Sequence, residues 1–376
     1  MGQSTKPMRI TTLYIDPAAA DYPETAVVKD RVGADKVAVA SPREVFAAVA
    51  AAGDVVAAGK QTLFLTVNKA PFIRKCPGTK HYRCCGYRIL NIGRFCTMDC
   101  SYCILQAYFH PPLLQYYVNQ ADMTAELKDL FDRPGRITRL GTGEFTDSAI
   151  WNECTDLNRR LVSLFAGQDA AVLEIKTKTV NIEPLRGADH NRKTIAAWSL
   201  NTEAVISGQE RGSASLEDRL RAAAACQAMG YPLAFHFDPL VIYDGCREDY
   251  AQVIRRLFSA VSADNIVWIS LGSFRFMPAL KPMIQERFPE SRIVYGEFIT
   301  GIDRKVRYFK PLRVDLYRSV ISEIRRFSTD VTVYFCMEDD DVWRQCLGFT
   351  PRQKGGLAAM LDRSAVEHCG LDRDRV

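Results

Sequence analysis

Cys96, Cys100 and Cys103 fall in the run Gly93-Arg94-Phe95-Cys96-Thr97-Met98-Asp99-Cys100-Ser101-Tyr102-Cys103. Three thiolates on one loop can hold three irons of a 4Fe-4S cluster, and the missing fourth ligand leaves one iron open to a small molecule. The spacing therefore points to chemistry at an iron. A structural zinc site usually pairs Cys-x2-Cys knuckles and closes with four ligands, while a thioredoxin-type redox pair needs only two cysteines. Neither yields this triplet. A disulfide framework is typical of short secreted chains, whereas this sequence has 376 residues and opens Met1-Gly2-Gln3-Ser4-Thr5-Lys6 without an apolar signal segment.

The elements that must position this loop can be read around it. Arg9 to Ile15 alternates and is rich in β-formers, so it reads as a strand. Ser41-Pro42-Arg43-Glu44 is a capping box with proline at the first helical position, opening an Ala/Val helix that closes near Gly59. Gln61 to Val67 is the next strand. Beyond the cysteines, β-rich runs at 137–140, 171–177, 194–200, 233–237 and 266–271 alternate with helical segments. One of these helices is capped by Ser215 and stops at Gly230. Such alternation predicts a parallel sheet wrapped into a full or partial barrel, with functional residues at the C-terminal strand ends. The expected organisation is an N-terminal α/β segment over 1–88, the barrel over 89–300 and a C-terminal extension over 301–376.

Composition narrows the class. A net charge of +5 and a pI near 8.5 are compatible with a polyanionic partner but fall below the pI above ~9 of a dedicated nucleic-acid domain. No run approaches the ~20 apolar residues of a membrane span, since Val45 to Ala58 is broken by Gly53-Asp54. The expectation is a soluble, cytoplasmic protein with no membrane partner. Twelve cysteines in such a chain point to metal or redox use.

The triplet resembles that of the radical S-adenosylmethionine (SAM) superfamily. Within it the chain is similar to the spore photoproduct lyase family, DNA repair enzymes that reverse a methylene-bridged thymine dimer. The likeness runs from Leu13-Tyr14-Ile15-Asp16-Pro17 to about Arg318. It is carried by Tyr102-Cys103-Ile104-Leu105-Gln106, Tyr117-Val118-Asn119, Thr177-Lys178, Ser199-Leu200-Asn201, Gly230-Tyr231-Pro232-Leu233 and Asp238-Pro239-Leu240. The resemblance implies an α/β fold with a partial (βα)6 barrel. It also implies a 4Fe-4S cluster on Cys96, Cys100 and Cys103, with SAM bound at the open iron and cleaved to a 5′-deoxyadenosyl radical. An external electron donor such as flavodoxin or ferredoxin is implied as well.

Roles follow from matching positions. Gly141-Thr142-Gly143-Glu144 looks like the element that holds the SAM ammonium, for which a carboxylate is a suitable acceptor. Lys178 and Ser199 match positions near the SAM carboxylate and ribose, and Asn201 lies on the same strand end. Tyr102 matches a tyrosine before the third cluster cysteine. The segment Asp303-Arg304-Lys305-Val306-Arg307-Tyr308-Phe309-Lys310 occupies the region of a β-hairpin beside the lesion. There Arg304, Lys305 and Arg307 would meet phosphates, and Tyr308 would support extruded bases in damaged DNA.

Two departures stand out. The family places a hydrogen-donating cysteine where Glu144 stands, and a relay tyrosine where Ile104 stands. Extra cysteines also occur at Cys76, Cys84, Cys85, Cys336 and Cys346. These can ligate an auxiliary iron–sulfur cluster or zinc, supply the replacement donor, or be small buried residues as Cys226 is in its Ala-rich helix. The functional expectation is radical SAM repair of a thymine photoproduct. The alternatives are a radical SAM enzyme acting on a peptide, tRNA or small metabolite, and a non-catalytic metal protein that binds nucleic acid.

Overall fold

In the computed structural model the chain is described over residues 9–372 except 80, 134 and 136; the opening Met1 to Lys6 run lies outside the described residues. Two sheets carry the architecture. The larger has eight strands, in spatial order Val333–Phe335, Ile266–Ser273, Leu233–Leu240, Thr194–Ser199, Ala171–Thr177, Thr138–Gly141, Arg88–Leu90 and Ile73–Lys75. Every neighbouring pair is parallel except the last, Arg88–Leu90 with Ile73–Lys75. This is the curled partial barrel that the alternating pattern predicts. Its central strands are near-continuous apolar runs because helices cover one face and the barrel interior the other. Ala171–Thr177 is buried at every position but Lys176.

The smaller sheet has five strands, in order Lys36–Val39, Thr12–Ile15, Thr62–Thr66, Leu114–Tyr117 and Gly93–Arg94. The two sheets do not divide at residue 88. Ile73–Lys75 and Arg88–Leu90 belong to the barrel, whereas Gly93–Arg94 and Leu114–Tyr117, which flank the cysteine loop, return to the smaller sheet. The C-terminal strand Val333–Phe335 likewise joins the barrel edge.

Local signals acted as read. Ser41 and Glu44 form a reciprocal capping box at the start of Pro42–Ala50. The Ala/Val stretch is two helices, not one: Asp54 accepts from the Ala57 amide at 2.9 Å and starts Val55–Gln61. Gly53-Asp54 supplies the break, because an Asp cap satisfies helix donors better than continuation through Gly. Ser215 caps Leu216–Ala228 by accepting from the Asp218 amide at 3.1 Å.

At the barrel mouth, Gly141 ends its strand where a Cβ would lie 1.4 Å from the Tyr87 hydroxyl. Only a residue without a side chain leaves room for the tyrosine inside the barrel. No helix of the described residues is long and apolar enough to cross a membrane.

Candidate active site

The cysteine loop is fastened at both ends. Gly93–Arg94 pairs antiparallel with Leu114–Tyr117, and the Phe95 amide donates to the Phe145 carbonyl at 2.7 Å. Asp99–Cys100 pairs antiparallel with Glu210–Arg211, and Ser101 donates to the Gln209 carbonyl at 2.8 Å. The Gln106 side-chain amide then donates to the carbonyls of Cys100 and Ser101 at 3.1 Å and of Cys103 at 3.4 Å. That gives a physical reason for Gln106 in a motif otherwise marked by cysteines: it satisfies carbonyls a tight loop leaves unpaired.

Cys96, Cys100 and Cys103 pack into one small cluster with Met98. The Cys96 sulfur accepts from the Met98 amide at 3.4 Å. Burial pushes the Cys96 thiol far up, and the Cys100 thiol to about 12. Such thiols become thiolates only when metal replaces the proton. Among the described residues no three His, Cys, Asp or Glu side chains converge on one metal ion. A 4Fe-4S cluster does not require this, since each thiolate ligates a different iron. The donor set, two buried thiols and the half-buried Cys103 on one pinned loop, fits that group.

Beside the loop lies an ion network. Lys178 Nζ donates to Glu210 at 2.9 Å and to the Tyr102 hydroxyl at 2.5 Å, and the Tyr102 hydroxyl also donates to Glu210. Arg219 reaches the other Glu210 oxygen at 2.6 Å and the Ser199 carbonyl at 2.9 Å. Tyr102 and Lys178 thus meet directly, and the Ser199 backbone joins them through Arg219. Burial opposes ionisation of Glu210, but Lys178 and Arg219 outweigh it and hold the carboxyl at about 2. Burial pushes the Tyr102 phenol well above its usual range.

Asp147 joins two strand ends, accepting from Thr177 Oγ1 at 2.7 Å and the Lys178 amide at 2.9 Å. Glu144 follows the strand Thr138–Gly141 and pairs with Lys176. Asn201 closely follows the strand Thr194–Ser199. It is buried, donates to the Pro239 carbonyl at 2.8 Å and accepts from the Tyr250 hydroxyl at 2.8 Å. Its side chain holds two strand ends together, with one of the two amide hydrogens on the Pro239 carbonyl.

Sequence reading missed Glu210, Arg219 and Lys176. Arg219 carried a signal, since it shares a helix face with Leu216, Leu220 and Ala223, all buried. A charge on an apolar face needs a buried partner.

The extra cysteines divide. The Cys76 thiol is pushed up to about 12 by burial and by its neighbours Glu144, Cys336 and Cys84. The Cys336 sulfur accepts from Arg275 Nη2 at 3.4 Å, and its neighbours include Asp238, Glu144 and Lys176. The Cys84 and Cys85 thiols hydrogen-bond each other, which makes the first more acidic, down to about 5, and the second less acidic. Cys346 is elsewhere, its thiol on the Val314 carbonyl at 3.7 Å. The groups that act on the Cys346 thiol are Arg318, Glu338 and Asp341, none of them another cysteine.

The basic-aromatic segment does form a hairpin, Phe298–Thr300 with Val306–Tyr308. Two of its expected DNA contacts point inward. Arg307 is 2% exposed, bound to Asp303 at 2.7 Å and to the Met337 carbonyl at 3.3 Å. Tyr308 is 3% exposed and stacks on Phe298 with ring centroids 4.5 Å apart. Neighbouring strand residues face opposite sides, so each is buried separately: Arg307 against Asp303, Met337 and the Tyr82 ring, and Tyr308 against Phe298. Lys305 is half-buried, with Nζ 3.5 Å from the Met337 sulfur. Arg304 is exposed near the hairpin tip, beside Ile302, which is 66% exposed.

A parallel partial barrel with three thiols on a loop at its mouth defines the radical SAM class of architecture. The profile of the spore photoproduct lyase family matches residues 8–311, and the chain belongs to that family. It is 28% identical over 206 residues to a spore photoproduct lyase of Bacillus subtilis, covering 54% of this chain and 60% of the relative. The chain thus spans less than two thirds of that relative's length. A Clostridium acetobutylicum spore photoproduct lyase is 24% identical over 254 residues, covering 67% of this chain and 71% of the relative. Among solved structures, a spore photoproduct lyase double mutant with bound AdoMet and dinucleoside spore photoproduct superposes with a TM-score of 0.77. It is 22% identical and covers 88% of this chain and 100% of its own. A spore photoproduct lyase complexed with the dinucleoside alone gives 0.77 at 23% identity and the same coverage. These structures share the fold.

Proposed function

We propose that the chain repairs a thymine photoproduct in DNA by radical SAM chemistry. What supports this reading is the three-thiol loop beside Tyr102 and Lys178 in a chain whose residues 8–311 match the family. Bound there, a 4Fe-4S cluster and SAM supply a 5′-deoxyadenosyl radical that abstracts hydrogen from the lesion. A one-electron donor such as flavodoxin or ferredoxin reduces the cluster from outside.

The chain's own residues do the rest. Cys96, Cys100 and Cys103 hold the cluster. Glu144 accepts from the SAM ammonium, exchanging one cation, Lys176, for another. Lys178 and Ser199 line the nucleoside side, with Glu210 keeping the Lys178 ammonium charged and fixed. DNA meets the exposed hairpin tip, where Arg304 faces phosphate and Ile302 provides an apolar wedge of the kind that separates bases.

After bond scission the product radical needs a hydrogen atom. No thiol stands at Glu144, but Cys76 and Cys336 share the mouth with it. One of them would give its hydrogen, an S–H bond breaking as a product C–H bond forms, and the thiyl left behind would return to the thiol by taking up one proton and one electron, the electron from the flavodoxin- or ferredoxin-type donor.

The experiment is anaerobic reconstitution with iron, sulfide, SAM and reductant, comparing ultraviolet-irradiated spore-type DNA with intact DNA. Loss of lesion in the irradiated arm is the expected result. Deoxyadenosine release in both arms with the lesion untouched would favour another substrate, such as a peptide, tRNA or small metabolite.

A further inference from the structure

We infer that Lys60 is a positioning residue that raises the reduction potential of the iron–sulfur group on Cys96, Cys100 and Cys103; the inference rests on the cluster reading above. Lys60 lies in the last turn of Val55–Gln61 and is 0% exposed. The helix reaches this depth because its neighbour is Gly59, where a Cβ would stand 1.6 Å from the Pro112 carbonyl oxygen. From there Lys60 Nζ donates to the Cys96 carbonyl at 3.1 Å and to the Met98 carbonyl, and lies 4.3 Å from the Phe95 ring centroid.

A buried ammonium held by neutral acceptors is costly unless an anion compensates it. The nearest carboxylate, Asp99, is 3.8 Å away. It is already engaged by Arg287 through contacts at 3.1, 3.2 and 3.3 Å, while Arg287 also meets the half-exposed Asp54 at 3.4 Å. The other ammonium that acts on the loop thiols, Lys178, has Glu210 at 2.9 Å. Lys60 is thus the under-compensated cation of the loop, and it acts on both Cys96 and Cys100.

A thiolate-ligated cluster is the anion that completes this arrangement. Reduction adds one electron to it, and a fixed cation in a low-dielectric surround favours the more negative state. Lys60 therefore makes the cluster easier to reduce by the electron that starts turnover.

The alternative is that Lys60 only clamps two carbonyls. Lys60→Gln separates the two, since the amide keeps hydrogen-bond donors but not the charge. The measurement is an electron-paramagnetic-resonance redox titration of the anaerobically reconstituted full chain, with iron and sulfide analysis. The expected result is wild-type iron content with a more negative midpoint. Asp99→Asn, which leaves Lys60 and Arg287 less opposed, should move the midpoint the other way. An unchanged midpoint in Lys60→Gln at full iron, or loss of iron from a variant that stays folded, overturns the inference. A wild-type chain that binds no iron overturns instead the cluster reading on which it rests.

Discussion

Lys178 and Glu210 meet at 2.9 Å, with the Tyr102 hydroxyl bonded to both and Arg219 closing on the far Glu210 oxygen at 2.6 Å. The pair ties the cluster loop to the fourth and fifth parallel strand ends. It also fixes where the Lys178 ammonium stands. Glu210 sits in the short strand paired with Asp99–Cys100, so ion pair and loop move together.

Arg219 is the structural half of this network, 0% exposed along its side chain. Removing one member of a buried pair leaves the other charge uncompensated, at a cost of about 3–5 kcal/mol. Arg219→Met should therefore lower stability by about that much in urea unfolding followed by circular dichroism. A loss below about 1 kcal/mol would mean water reaches Glu210 freely.

The acid limit of stability follows from two carboxyls. Glu210 is held at about 2, and so is Glu174, where burial opposes charge but His236 at 2.6 Å and Trp268 at 3.2 Å outweigh it. Both lie below the ordinary 4.5. Because the folded values are depressed, their stabilisation is complete above pH 4.5 and is lost as pH falls toward 2. Melting temperature should drop across that window, and less steeply in Glu174→Gln, whose baseline stability is lower. Parallel pH profiles for the variant and wild type would contradict the assignment.

The hairpin prediction separates two arginines. Arg304→Ala should weaken DNA binding and reduce the salt slope by about one unit, leaving stability within about 0.5 kcal/mol. Arg307→Ala should destabilise the hairpin, since it leaves the buried Asp303 carboxylate without its cation. Fluorescence anisotropy against salt, beside thermal unfolding, reads both. Equal salt-slope losses with equal stability would show that Arg307 faces DNA after all.

The missing donor gives a fourth test. If Cys76 or Cys336 returns hydrogen, replacing the donor with Ala should leave SAM cleavage intact while diverting lesion carbon into by-products, visible by mass spectrometry. Only one of the two variants should do this. Clean repair by the Cys76→Ala, Cys336→Ala double variant would exclude both thiols.

How much of this was legible follows from range. The barrel could be read because each strand and its cap is written locally: Ala171–Thr177 as an apolar run, Ser215 with Asp218 as a cap. The cluster loop could be read because its three donors lie within eight residues of chain. Glu210 and Lys60 could not, since each gains its meaning from a partner loop distant in sequence. The burial of Arg307 and Tyr308 depends on what covers each face of the hairpin, and Met337, which meets Arg307, is distant in sequence.

The central claim is repair, and its most direct measurement uses a defined dinucleoside spore photoproduct. Incubated anaerobically with reconstituted chain, SAM and dithionite, then resolved by liquid chromatography and mass spectrometry, it should be converted to the unlinked thymine dinucleoside, with Cys96→Ala inactive. Lesion recovered intact while deoxyadenosine accumulates would contradict the account.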